Sequence, residues 1–255
     1  MRTLCDADVT PFILFTENGM RTLSDVPDEK IHWKYIPAAM QSFSDLLAAS
    51  NTINASYDFE AIAKQKIWQK QGFKQFLDVA SLCNNFICDR CGRSFGSLDT
   101  WRTDRAFVVD SLTGLSRQAM DNAVGSKPVK APADWGVAMD NLERMIVRLT
   151  GGLQCHFVMT SHLEREKDEI TGSIKLMPST LGQKLAPKLG ALFDDVVETF
   201  SRDRDTFAWR TFAPGIDLKG RNLGRSENLP PSFKPLIESW QKAGGIIQST
   251  QTEAA

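Results

Sequence analysis

Arg105-Ala106-Phe107-Val108-Val109-Asp110-Ser111-Leu112-Thr113-Gly114-Leu115 is the stretch that decides how the chain is read. Its apolar run is uninterrupted from Ala106 to Val109 and stops at a carboxylate. A run this short, bounded by polar and turn residues, predicts a strand buried on both faces of a parallel sheet. Open α/β sheets bind ligands in the crevice beyond the carboxyl ends of their strands, which is where this reading puts Asp110. Ser111 adds a hydroxyl, and the two together suit a hydrated metal ion. Aspartate also ends strands for turn chemistry alone, and taken by itself the stretch admits both readings.

Other strands repeat the pattern. Pro11-Phe12-Ile13-Leu14-Phe15 reads as a buried strand, and Thr16-Glu17-Asn18-Gly19 closes it with another carboxylate, or with a polar turn in which Asn-Gly supplies the positive φ. Ile31-His32-Trp33-Lys34-Tyr35-Ile36 alternates apolar and polar side chains, as a strand near a sheet edge does. His156-Phe157-Val158-Met159-Thr160-Ser161-His162 is a further buried strand, and His162 falls where the others place Glu17 and Asp110. A structural histidine is the alternative there. Residues 195–200 and 206–212 alternate about a polar turn and predict an antiparallel hairpin.

Between these strands the period changes. Residues 42–49 and 59–86 carry apolar side chains at spacings of three and four, which predicts two or three helices. Residues 120–132 hold Gly125, Pro128 and Pro132 and read as a loop. Residues 135–149 predict a helix with Val137, Met139, Leu142, Met145, Ile146 and Leu149 on its apolar stripe. Residues 164–180 are mostly polar and long for a connection, and long loops in compact domains are commonly functional. Residues 232–243 form an amphipathic helix, and residues 246–255 read as a frayed tail. The whole reads as a single α/β core over residues 1–245, with a helical and hairpin insertion at about 51–100.

Thirty basic against thirty-one acidic residues give a formal charge of -1, so no global field draws the chain to nucleic acid or to anionic membrane. No apolar run approaches the roughly 20 residues that span a bilayer, and the first residues lack the apolar core of a signal peptide. The expected location is the cytoplasm. Five cysteines with one close pair suggest reduced thiols. Cys88-Asp89-Arg90-Cys91-Gly92 has the form of half a zinc knuckle, with Cys83 as a third ligand and His32 or His156 as a fourth. The favoured alternative is a short hairpin with free thiols between residues 86 and 97. Lys175, Lys184 and Lys188 lie in a stretch without acids, either a basic face or a solvated surface. Lys219-Gly220-Arg221 sets two cations in a Gly-containing loop, a spacing that holds a phosphate or merely scatters charge.

The order of strand ends, Glu17, then Asp110-Ser111, then His162, followed by a polar segment and a hairpin, resembles RecA-like ATPases of the P-loop NTPase superfamily. It is similar in particular to phage-encoded RecA-like proteins associated with recombination and single-strand annealing. Asp110-Ser111-Leu112-Thr113-Gly114-Leu115, Thr180-Leu181-Gly182-Gln183-Lys184-Leu185-Ala186-Pro187-Lys188-Leu189 and the Lys219 loop carry the resemblance, which covers residues 12–240. It implies a mostly parallel central sheet with flanking helices and a C-terminal antiparallel hairpin, and ATP and Mg2+ as cofactors. By position, Glu17 resembles the glutamate that polarises the attacking water. Asp110 resembles the Walker B aspartate, with Ser111 beside it, and His162 the residue that senses the γ-phosphate. Arg165, Lys167 and Lys175, with Lys184 and Lys188, are implied contacts to single-stranded DNA. Lys219 and Arg221 resemble cations that reach a neighbouring subunit's triphosphate, which implies a homo-oligomer with composite sites. No membrane partner is implied, and for a phage-encoded protein the compartment is the bacterial host cytoplasm.

The resemblance lacks one part. A P-loop needs Gly-rich backbone amides followed by Lys and Ser or Thr. No G-x-x-x-x-G-K-[ST] occurs in the 255 residues, and Gly125-Ser126-Lys127 lacks the first glycine and the hydroxyl after the lysine. In RecA-like proteins that loop precedes the helix leading into the first strand read here. Two expectations follow: a chain that starts late, whose ATPase returns with the upstream P-loop, or a variant that has lost its nucleotide grip. Either way the chain as written is expected to bind ATP weakly or not at all. The alternative function is a nucleotide-independent DNA-binding or assembly scaffold.

Overall fold

A computed structural model describes residues 1–39, 42–55, 73–125, 129–167 and 172–251, together with residues 58, 60, 62 and 127. Strands β1 (Thr10–Phe15), β2 (His32–Tyr35), β3 (Arg105–Asp110) and β4 (His156–Met159) form one sheet in the order β2-β1-β3-β4. Every pairing in it is parallel. This is the α/β sheet that the apolar runs predict, and its two inner strands show why those runs do not alternate. Phe12, Leu14, Phe107 and Val109 face one core cluster, while Ile13, Phe15, Ala106 and Val108 face the other. Both faces are covered, so both sets of side chains must be apolar.

Among the described residues the α-helices are α1 (Phe43–Asn54), α2 (Gln75–Asn84), α3 (Leu112–Val124), α4 (Pro132–Gly151), α5 (Gly182–Leu189) and α6 (Lys234–Lys242). The first core cluster takes residues from α2, α3, α4 and α5. The second is closed by Ile237 of α6 and by Leu4 of a 3-10 turn at Arg2–Ala7 that leads into β1. Helix α4 starts with proline at its first turn, and Asp134 turns back to accept a hydrogen bond from Ala131 N at 2.8 Å. Its buried apolar side chains are Ala138, Leu142, Ile146 and Leu149, spaced four, four and three. Val137, expected on that stripe, is exposed.

Several boundaries differ from expectation for physical reasons. Helix α3 continues to Val124, because Gly125 at φ 61° is its cap, and the expected loop starts only there. The polar segment at residues 164–180 is not an open loop. It is an antiparallel hairpin of β5 (Leu163–Lys167) and β6 (Ile174–Pro178), whose connecting residues 168–171 lie outside the described residues. The hairpin expected at residues 195–212 divides in two. Strand β7 (Asp195–Val196) pairs with β10 (Lys219–Gly220), and β8 (Glu198–Ser201) pairs with β9 (Phe207–Arg210). Of the helical stretch expected at 59–86, residues 59, 61 and 63–72 lie outside the described residues. The tail expected to fray is held as far as Thr250, whose N–H and hydroxyl donate to Asp104 at 2.9 and 2.6 Å. Residues 252–255 lie outside the described residues. Among the described residues no helix is long and apolar enough to cross a membrane.

Candidate functional site

The parallel register assembles the site. Phe15 of β1 stands beside Asp110 of β3, and Val109 beside Met159 of β4. The residues that follow those pairs, Thr16-Glu17, Ser111 and Thr160, therefore leave the sheet at one place. There they bond to one another. Ser111 N donates to Thr16 Oγ1 at 2.8 Å, and Thr16 Oγ1 donates back to Ser111 O at 3.0 Å. Thr160 Oγ1 donates to Asp110 Oδ1 at 2.5 Å, which fixes the carboxylate plane and leaves Oδ2 turned toward Gly19. The Asp110-Ser111 peptide is cis.

Ser111 is also the N-cap of α3, accepting from Gly114 N at 3.3 Å. Its hydroxyl donates to Glu17 Oε2 at 2.6 Å. His162 Nε2 lies 3.2 Å from the same oxygen, and facing an ionised carboxylate it is the donor. Both bonds fall on Oε2, and among the described contacts none engages Oε1. The pair is open to solvent, with side-chain exposures of 69% for His162 and 45% for Glu17. His162 N is held in turn by Thr113 Oγ1 at 3.2 Å.

Gly114 makes this approach possible. A Cβ on it would stand 2.2 Å from Thr16 Oγ1 and 3.2 Å from Glu17 Cγ, so no side chain fits between α3 and the end of β1. Gly19 plays a lesser part: its Cβ would come 3.0 Å from the Phe15 ring and 3.5 Å from Asp110 Oδ2. The Met1 ammonium is also nearby in electrostatic terms. Burial pushes it below its ordinary value, against the pull of the Asp110 carboxylate.

The structure thus brings together Glu17, Asp110, Ser111 and His162. Thr16, Thr113, Gly114 and Thr160 join them without a sequence reading having singled them out. For Thr16 and Thr160 the signal was a place at a strand end, and for Thr113 and Gly114 a place within the Asp110–Leu115 stretch, in the first turn of α3.

The expected cations are not gathered there. Lys219 Nζ donates to Phe193 O at 2.5 Å, and Arg221 pairs with Asp194, both within the chain on the β7–β10 ribbon. Arg165 and Lys167 are exposed on β5. Lys175 pairs with Asp217, and Lys188 pairs with Glu143 at 3.3 Å, while Lys184 is exposed on α5.

The cysteines sort differently from expectation. Cys88 and Cys91 lie with His32, the ligand atoms all within 4.8 Å of one another. Neither Cys83 nor His156 joins that group. Cys83 is half-buried near the buried Cys155, and desolvation pushes both thiols up to about 11. The expected short hairpin is present around the pair, with Phe86 and Gly96 joined through backbone and Ile87 bridging Ser94.

The family model of an AAA domain matches residues 3–222. Comparison with curated proteins and with solved structures gives no match.

Proposed function

This chain belongs to the AAA-domain family, of the P-loop NTPase superfamily, and from that premise we propose that it carries the hydrolytic half of an ATP site. One observation carries the reading: three adjacent parallel strands deliver Glu17, Asp110-Ser111 and Thr160 to a single point at their carboxyl ends. That is the place where sheets of this class bind ligands. Glu17 is the group that orients and deprotonates water. Ser111 and His162 hold its Oε2, and among the described contacts none engages Oε1, the oxygen that would take the proton of an attacking water. His162 couples that carboxylate to the β5–β6 hairpin, which begins one residue later.

The donor set fits magnesium, being oxygen only, and among the described contacts none engages Asp110 Oδ2. Asp110 and Ser111 would hold the ion through water, and when bound it neutralises charge on phosphate oxygens. The triphosphate itself fits less well, because the 255 residues contain no Gly-rich cradle for it.

The finer reading is a RecA-like ATPase that assembles and acts on single-stranded DNA in phage recombination or annealing. Support for it is the sequence resemblance and the exposure of Arg165, Lys167 and Lys184. Lys175 and Lys188 support it less, since each is matched by an acid of its own chain.

The test is a titration with a fluorescent ATP analogue and magnesium, on this chain and on the longest protein that the gene encodes. Magnesium-dependent binding by the longest form, lost in Asp110→Asn, is expected. No binding by either, with DNA affinity unchanged by nucleotide, would leave the scaffold reading in its place.

A further inference from the structure

We propose that His32, Cys88 and Cys91 form a zinc site that fastens the Cys88–Gly92 turn to the edge strand β2. The three ligand atoms lie within 4.8 Å of one another although the chain separates His32 from the cysteines by more than fifty residues. Zinc binds thiolate sulfur at about 2.3 Å and imidazole nitrogen at about 2.0–2.1 Å, so a tetrahedral S···N edge measures about 3.6 Å. Cys91 Sγ and His32 Nδ1 stand 3.6 Å apart.

The turn is also built as a metal-binding turn needs to be. Gly92 N donates to Cys88 O at 3.0 Å, and Arg90 N donates to Cys88 Sγ at 3.3 Å. A backbone N–H aimed at a sulfur stabilises it as thiolate, the form that binds metal. His32 has no freedom to point elsewhere. Its ring is held between Phe12 at 4.8 Å and Phe95 at 4.3 Å, and the residue is 2% exposed. Cys88 is 1% exposed, while Cys91 is the more open member. Two thiolates cancel the charge of Zn2+, which suits a buried site, and binding releases the two thiol protons to solvent.

Its position marks the site as structural. His32 pairs with Phe12, three residues before the end of β1, which places it about 10 Å along the strands from the end that bears Glu17. Around it the turn covers the open edge of β2: Asp89 N donates to Trp33 O at 2.8 Å, and Asp89 Oδ2 accepts from Tyr35 N at 2.8 Å. An edge strand left bare is a site for unwanted pairing, and a metal clip on its cover prevents that. The site stands whether or not the chain hydrolyses ATP.

The test is metal content of the purified full chain by mass spectrometry, together with Co2+ titration read by thiolate-to-cobalt charge-transfer absorption. About one zinc per chain is expected, with a tetrahedral Co2+ spectrum. Cys88→Ser, Cys91→Ser and His32→Ala should each weaken Zn2+ affinity at least about tenfold, since losing even an outer-shell partner of a ligand costs about 10–100-fold. Cys83→Ser and Cys155→Ser should leave it unchanged, and they serve as folded controls. A wild-type chain that holds no zinc and shows no Co2+ charge-transfer band overturns the proposal. So does occupancy that falls in Cys83→Ser but survives in His32→Ala.

Discussion

Glu17 and Ser111 stand 94 positions apart in the chain, yet the Ser111 hydroxyl donates a 2.6 Å hydrogen bond to Glu17 Oε2. The same hydroxyl accepts from Gly114 N and so caps α3. A single side chain thus ties a helix start to the carboxylate at the end of a neighbouring strand. Disturbing that corner is predicted to move stability and chemistry together.

Gly114 tests the packing of the corner. Alanine there would set a methyl 2.2 Å from Thr16 Oγ1, and the overpacking is expected to cost about 1–3 kcal/mol or more. Gly136, in the exposed interior of α4, has no heavy atom near its would-be Cβ. Gly136→Ala is expected to stabilise by about 0.5–1 kcal/mol. Urea midpoints for the two variants should move in opposite directions, and a shared direction would count against the geometry.

Thr16 tests its polar bonds. Valine keeps the shape but leaves the Ser111 N–H and C=O without their buried partner. Each unsatisfied buried group costs about 1–3 kcal/mol, so Thr16→Val is expected to lose about 2 kcal/mol or more. Chemical denaturation would reveal it, and a loss below about 0.5 kcal/mol would show that water replaces the hydroxyl.

Acid sensitivity has a predicted sign at Asp134. The Lys127 ammonium, 2.6 Å away, and the Ala131 N–H hold its carboxyl below the ordinary 3.8. A carboxylate depressed in the folded state contributes stability in full above that ordinary value and loses it as pH falls through the folded one. Asp134→Asn should therefore be less stable at pH 7, by about 1–2 kcal/mol, with a smaller further loss on acidification. Melting curves between pH 7 and pH 3 give the comparison. An unchanged acid slope would remove Asp134 from the account.

Lys219 bears on assembly. Its ammonium now donates to Phe193 O in its own chain. If it serves a neighbour's nucleotide, Lys219→Ala should lower ATP turnover at protein concentrations that support oligomers and spare the dilute protein. Turnover measured across a dilution series separates the cases, because an equal loss at every concentration would mean that Lys219 acts within its own subunit.

Much of the core was legible because burial on both faces forces uninterrupted apolar runs. Phe12 to Phe15 and Ala106 to Val109 have no other explanation as compelling. The polar ends of those runs pointed to Glu17, Asp110 and His162 for the same reason. Thr16 and Thr160 escaped notice because a threonine at a strand end looks ordinary until register sets it beside Asp110. The β5–β6 hairpin was read as a loop because Leu163-Glu164-Arg165-Glu166-Lys167 packs no face on a core and shows no apolar alternation. Cysteine spacing found the Cys88-Cys91 pair and set Cys83 and either His32 or His156 beside it. The docking of the Cys88–Gly92 turn on β2 brings His32 to the thiols and leaves Cys83 and His156 elsewhere.

The central claim is that Glu17 activates water for nucleotide hydrolysis. Single-turnover hydrolysis of ATP with magnesium, by the longest protein that the gene encodes, tests it most directly when wild type is compared with Glu17→Gln. Glutamine keeps the acceptor oxygen for Ser111 and His162 but takes up no proton, so the rate is predicted to fall about 10²-fold or more with nucleotide affinity unchanged. A variant that hydrolyses ATP at the wild-type rate would contradict the account.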